Sequence, residues 1–304
     1  MDENKPKAPL APSEDQAINK VTFSEKWADY KKHPFSMFLY ILVILAAVIT
    51  VAVLGYLLVF LLVKGIPNLK WSMFEWNYTR ENVSMMPAII NTIIVTALCL
   101  LFAVPLGIGS AIYLVEYAKR GSKLVEVVRL TTETLSGIPS IIYGLFGFLM
   151  FAVSFKWGYS LLGGALTLAI MVLPVIMRTT EEALKSVPDS FREGSYGLGA
   201  GKLRTIFRII LPSAMPGILS GVILAVGRTV GETAALIYTA GTVAGVPSSI
   251  MGSGRTLAVH MYALLSEGLY TDQAYATGVV LIVLVVIINW ISNRIAKKFG
   301  NKLG

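Results

Sequence analysis

FSMFLYILVILAAVITVAVLGYLLVFLLV, Phe35–Val63, carries no charged residue along its whole length. A bilayer's hydrocarbon core is about 30 Å thick and a helix rises about 1.5 Å per residue, so roughly 20 apolar residues cross it. The run therefore reads as a transmembrane helix, with the excess taken up by tilt or by extension into the interface. Working outward, further uncharged runs stand at Met85–Val115, Thr134–Phe155, Trp157–Met177 and Gln273–Asn293. Another apolar segment starts near Ile209 and continues past Ala240, broken only by Arg228 and Glu232. The pattern predicts an all-α integral membrane protein of six transmembrane helices. Composition agrees, since 14% of the 304 residues are charged where a soluble domain has about 25%.

The formal charge of +8 would suggest nucleic acid in a soluble protein. Here it reads as basic residues held on the cytoplasmic side of a membrane. With both termini inside, the inner segments collect 17 Lys and Arg, and the outer ones collect 5, namely Lys64, Lys70, Arg80, Lys156 and Arg255. That bias places both termini in the cytoplasm, in keeping with an even number of spans. Residues 1–35 mix six acids with six lysines and contain Pro6, Pro9 and Pro12, which predicts a disordered, solvated arm and no cleavable signal. Residues 36–296 form the expected six-helix membrane domain, and 297–304 a short basic tail. A single cysteine, Cys99, leaves no internal disulfide and no Cys-based zinc site; no metal site is expected.

Two outer segments are long. Lys64–Ser84 holds Trp71, Phe74, Trp76 and Tyr78, which reads as an interfacial aromatic belt. Gly241–Asp272 shows Leu257, Met261, Leu264 and Leu265 at helical spacing, which predicts a short amphipathic helix on the outer face. Glu116 and Arg129 read as solvated loop charges and Glu133 as interfacial. Catalytic residues are not expected: Gly252-Ser253-Gly254 lacks the preceding glycine of an intramembrane protease, Met251 standing there.

The inner segment 178–212 is the most informative. Pro188 marks a helix start, since proline is tolerated in the first turn. The helix runs through Phe191, Arg192, Glu193 and Tyr196, and Gly199 supplies the stop. A second basic segment, Lys202–Arg208, leads to Ile209-Ile210-Leu211-Pro212. Glu193-Gly194-Ser195, three residues, Gly199, nine residues and Ile209-x-Leu211-Pro212 resemble the cytoplasmic motif of ABC-importer permeases at every fixed point. Gly194 and Ser195 replace two alanines, and Gly194 should weaken the helix by up to about 1 kcal/mol. The resemblance implies the type I ABC-importer permease arrangement. It also implies a coupling role, against a separate ATPase, for Glu193, Gly194, Ser195, Gly199, Leu211 and Pro212. No P-loop accompanies it: Gly201-Lys202 is followed by Leu203, and Tyr196 occupies the position of the required earlier glycine. No cofactor is expected on this chain, with ATP and Mg on the partner ATPase.

Arg228 and Glu232 are four residues apart, which predicts one helix face. An ionisable pair in a span is expensive and faces a protein interior or a watery path. One reading is an ion pair that fixes helix packing; the other is an anion-handling site in which Glu232 orients Arg228. Arginine suits phosphate because its fork donates two parallel hydrogen bonds. Ser136, Ser140 and Gly144 recur every four residues, a small-residue face for helix packing or for lining a path, and Pro139 should kink that helix. Gly227-Arg228-x-x-Gly231-Glu232-Thr233 and Ser136-Gly137-Ile138-Pro139-Ser140 through Gly147 are similar to phosphate-specific permeases of the PstA and PstC types. Glu232-Thr233-Ala234-Ala235-Leu236 favours PstA. That resemblance implies a phosphate importer in a bacterial or archaeal cytoplasmic membrane. Its expected partners are a homologous second permease, an ATPase dimer, an external phosphate-binding protein and the lipid bilayer, with no nucleic acid. Another tetrahedral oxyanion, an ion-coupled secondary transporter and a membrane scaffold are the competing readings; neither of the last two explains the spacing from Glu193 to Pro212.

Overall fold

The computed structural model describes residues 34–119 and 121–300, with side chains described through Arg294. The arm expected over 1–35 lies outside the described residues up to residue 33, as do residues 301–304 of the expected tail. Among the described residues every regular element is helical. They fall in two compact units divided after Val59. The first holds most of α1 (Pro34–Gly65), whose apolar side chains are exposed nearly throughout.

The second unit begins at Phe60. After two single 3₁₀ turns come α2 (Met86–Ile112), α3 (Lys123–Ser136), α4 (Ser140–Gly147), α5 (Leu161–Lys185), α6 (Asp189–Gly197) and α7 (Lys202–Thr205). Then follow α8 (Leu211–Val230), α9 (Ala234–Thr239), α10 (Leu257–Glu267) and α11 (Thr271–Gly300). The helix α1, α2 with its π-helical extension Tyr113–Tyr117, α5, the run Lys202–Val230 and α11 are each long and apolar enough to cross a membrane. The pair α3–α4 makes the sixth when taken as one broken span.

Helix α5 is central: 67% of its most apolar stretch is buried, against 33% for α2 and for Lys202–Val230. The main core joins Val95, Cys99 and Ala103 of α2 to Leu168, Val172 and Ile176 of α5. The N-terminus of α5 is tied down by its surroundings. Ser160 Oγ accepts from Gly163 N, and the N–H groups of Leu161 and Leu162 reach the carbonyls of Gly252 and Ile250. These satisfy donors that a helix start leaves unpaired.

Four expectations are corrected here. The span expected as Thr134–Phe155 is two helices bent by 104°. Pro139 forces the residue before it out of helical geometry and stands extended at the start of α4, with φ −59° and ψ 141°. Ser136 therefore ends α3 while Ser140 and Gly144 lie on α4, so the three do not share one helix face. The segment expected to run unbroken from Ile209 past Ala240 ends at Val230 and restarts at Ala234. Glu232 is thus off the helix of Arg228, and among the described residues no ion pair joins them. At the other end of that segment the polypeptide stays helical from Lys202 onward. Pro212 has no N–H for the carbonyl four residues earlier, and a π-helical turn at Ile206–Ile210 absorbs the mismatch. Finally α11 runs on to Gly300, since no Gly or Pro stands between Ile288 and Phe299 to end it.

The short helix expected within Gly241–Asp272 appears as α10, but it does not lie on a surface with one apolar face: its Leu257, Ala258, Val259, His260 and Leu264 are buried. The His260 ring meets Tyr78 edge-on at 6.1 Å, and Arg255 lies 4.7 Å from the centre of the Tyr78 ring. Burial first, then the Arg255 charge, pushes the His260 pKa down to about 3, against an opposing pull from the Val83 backbone. The folded protein thus binds this proton less well than the unfolded chain. Its contribution to stability is whole above the ordinary His pKa of about 6.5 and is lost as pH falls from there towards 3. Thermal unfolding of the purified protein should show a loss of about 1 kcal/mol per pH unit below about pH 6. His260→Gln should remove that part of the slope.

Candidate functional site

Helices α5 and α8 cross closely because α8 carries two glycines one turn apart. A Cβ on Gly217 would sit 2.7 Å from Ala183 Cβ, and one on Gly221 would run into the Thr179 hydroxyl. Gly217-x-x-x-Gly221 is the close-approach signal that membrane helices use, and the sequence reading passed over it. Beside the crossing lies a cleft of ≈ 740 Å³. Thr179 and Glu182 from α5, Ser220, Leu224 and Arg228 from α8 and Asn289 from α11 line it. Arg228 is half-buried. Among the described residues no carboxylate pairs with it.

A second cavity, of ≈ 540 Å³, shares Thr179, Glu182 and Leu224 with the first. Ser136, Glu133 and Arg129 border it from the α3 side. Its charges are mostly paired. Glu181 is nearly buried and is held by Arg129 at 2.6 Å and by Lys185 at 2.7 Å, while Glu182 meets Arg178 at 3.1 Å. Arg129 remains solvent-exposed as expected but sits on α3 and not on a loop, and α3 packs alongside α5 and brings it to Glu181. Glu116 is corrected likewise: its side chain is 6% exposed and pairs with Arg192 at 2.7 Å.

The remaining predicted residues divide. Glu232 turns away from pairing with Arg228 and accepts from Ala235 N at 3.1 Å, capping α9. Gly144 lets α4 close on α9, since a Cβ there would lie 2.8 Å from Ala235 Cα. Pro139 is exposed and Ser140 half-buried at the α3–α4 break. Thr179, Glu182 and Asn289 were missed; Thr179 and Glu182 stand at the start of the segment 178–212, where α5 runs on to Lys185, and only the fold turns them onto the cleft.

The predicted helix after Pro188 is α6. Ser195 is buried and shares a 2.8 Å hydroxyl bond with Thr205, fastening α6 to α7. Glu193 and Gly194 are exposed, and nothing lies within 4 Å of a Cβ on Gly194. Gly199 has φ +81°, and its N–H and that of Ala200 return to the carbonyls of Tyr196 and Ser195. Glycine is suited to this left-handed stop. Just before it Leu198 stands 91% exposed. Leu211 packs on the inner core beside Ile210 and Ala214, with Pro212 in the first turn of α8.

The chain is 34% identical over 279 residues to "Probable ABC transporter permease protein YqgI" of Bacillus subtilis, covering 84% of this chain and 94% of that protein. It is 33% identical over 261 residues to "Phosphate transport system permease protein PstA 2" of Mycobacterium bovis, covering 82% and 85%. Among solved structures, a bacterial alginate ABC transporter in complex with its alginate-bound periplasmic protein has a subunit that superposes with a TM-score of 0.66 at 18% identity. That match covers 90% of this chain and 98% of that subunit, and supports the type I permease fold. The family described as "Binding-protein-dependent transport system inner membrane component" matches residues 103–302. The chain belongs to that family, the membrane permeases of ABC importers.

Proposed function

We propose that this permease carries inorganic phosphate through the α5–α8 cleft, driven by a separate ATPase that grips α6. The observation that carries the reading is Arg228, a half-buried cation that faces the cleft with no carboxylate bonded to it among the described residues. A free guanidinium fork suits a tetrahedral oxyanion, which it meets with paired charge-assisted bonds. Relatives named as phosphate permeases favour phosphate over other oxyanions. The one acid on the cleft, Glu182, is engaged by Arg178, which leaves the cation in excess.

On this reading α6 with its exposed Leu198, Phe191 and Glu193 is the docking element, and ATP and Mg stay on the partner. A homologous second permease, an ATPase dimer and an external binding protein complete the complex. Both termini lie in the cytoplasm of a bacterial or archaeal cell. Residues 36–296 act as the permease domain and 178–212 as its coupling loop. The Ser136 side of the second cavity belongs to the path, whereas Gly144 serves packing.

The test is labelled-phosphate uptake into proteoliposomes holding the chain with its co-purified partners, with ATP on the motor side and excess sulfate as competitor. Uptake that resists sulfate supports phosphate. Uptake of a different anion would keep the architecture and overturn the substrate. Gly199→Trp strains a left-handed position by about 1–2 kcal/mol and adds bulk to the docking face, so it should abolish ATP-dependent uptake.

A further inference from the structure

Arg192 is bonded to more of the molecule than its place on an exposed helix suggests. Its Nη2 and Nε both reach Glu116 Oε1, at 2.7 and 3.2 Å. Nη2 also donates to the Leu184 carbonyl at 3.0 Å, and Nη1 donates to the Val187 carbonyl at 2.9 Å and to Asp189 Oδ1 at 3.1 Å. The side chain is 15% exposed and that of Glu116 6%. Glu116 belongs to the π-helical turn that ends the α2 span. Leu184 lies in the last turn of α5, where carbonyls have no partner within the helix. One guanidinium therefore joins α6 to the ends of two spans. The hydroxyl pair Ser195–Thr205 ties α6 to α7, which continues into the Lys202–Val230 span, but it does not reach α2 or α5.

We propose that Arg192 is the positioning residue that carries the movement of α6 to the membrane helices, through its buried ion pair with Glu116 and its bonds to the α5 terminus. The proposal rests on the reading of α6 as the element gripped by the ATPase. A displacement of α6 either draws the ends of α2 and α5 with it or leaves a buried charge without its partner, and the second course is costly. Helix α5 brings Thr179 and Glu182 to the cleft, so a shift of its terminus acts on the cargo path. Mobile packed networks of this kind alter coupling without touching either ligand.

The experiment measures ATP hydrolysed and phosphate taken up in the same proteoliposomes of the assembled complex. Arg192→Gln and Glu116→Gln should each lower uptake per ATP by roughly tenfold while the complex remains assembled and hydrolyses ATP. The double variant should be no worse than Arg192→Gln alone, because that variant already removes the link to Glu116 together with the carbonyl bonds. Arg192→Lys keeps the charge but cannot span all four acceptors, and should fall between. Equal losses of uptake and hydrolysis, additive losses, or an unchanged ratio would each overturn the proposal. If Arg192→Gln fails to assemble, Glu116→Gln decides, since it leaves the carbonyl bonds in place; failure of both to assemble makes the pair structural and overturns the proposal. Gly199→Trp separates the two readings. If it leaves ATP-driven uptake intact, the docking role of α6 falls and this proposal falls with it. If it stops uptake while Arg192→Gln does not, only the link through Arg192 is wrong.

Discussion

Arg228→Gln is expected to lower phosphate uptake by roughly 10- to 100-fold, the worth of the charge-assisted hydrogen bonds it removes. The side chain is half-buried in the cleft and no acid among the described residues holds it. Its loss therefore breaks no ion pair, and assembly and thermal stability should change little. Arg228→Lys keeps the charge but not the planar fork, so it should retain part of the uptake. Had the residue served to fix helix packing with Glu232, Arg228→Gln would instead lower stability and Glu232→Gln would do the same. The geometry predicts otherwise for Glu232, whose carboxylate caps α9. Glu232→Gln should cost about 1 kcal/mol of stability at most, with uptake preserved. Initial uptake rates and unfolding temperatures of the three variants check this.

Gly221→Val is expected to have the largest effect on stability. The added side chain meets Thr179 where α5 and α8 cross, and overpacking of this kind costs about 1–3 kcal/mol. The damage falls on the central helix and on the cleft it lines, so assembled complex and uptake should drop together. Thr179→Ala removes the hydroxyl and methyl from the collision and should restore part of the loss in the double variant, a non-additivity that only contact produces. Gly109 offers the contrast: it lies on α2 with nothing within 4 Å of a Cβ. Gly109→Ala should be neutral or stabilising by up to about 1 kcal/mol. Thermal unfolding in detergent distinguishes the two glycines.

What could be read from the amino acids follows the range of the interactions. The uncharged run at Phe35–Val63 and the spacing from Glu193 to Pro212 are local, and both correspond to what folds: α1 in the first case, and α6, the Gly199 turn and α7 in the second. Breaks were harder. Pro139 was visible as a kink, but the full 104° bend depends on Gly137 and Ile138 leaving the helix as well. The interruption at Gly231–Thr233 carries no proline, and the bond from Ala235 N to the Glu232 carboxylate that accompanies it is something periodicity does not record. Pairings between distant segments were hidden altogether. Glu116 and Arg192 are 76 residues apart, so Glu116 looked like a loop charge and Arg192 like an unpaired helix charge until the fold brought the two side chains together. The same holds for Arg129 with Glu181. Gly217 and Gly221 were in plain view, yet a glycine pair in a span signals a crossing only once the partner helix is known.

The central claim is that nucleotide chemistry on a partner chain drives an oxyanion past Arg228. The most direct test follows labelled-phosphate uptake by the reconstituted complex with ATP inside or absent, and with proton and sodium gradients imposed or collapsed. Uptake that requires ATP, ignores the gradients and falls in Arg228→Gln is the predicted result. Uptake that runs on an ion gradient without ATP would contradict the account.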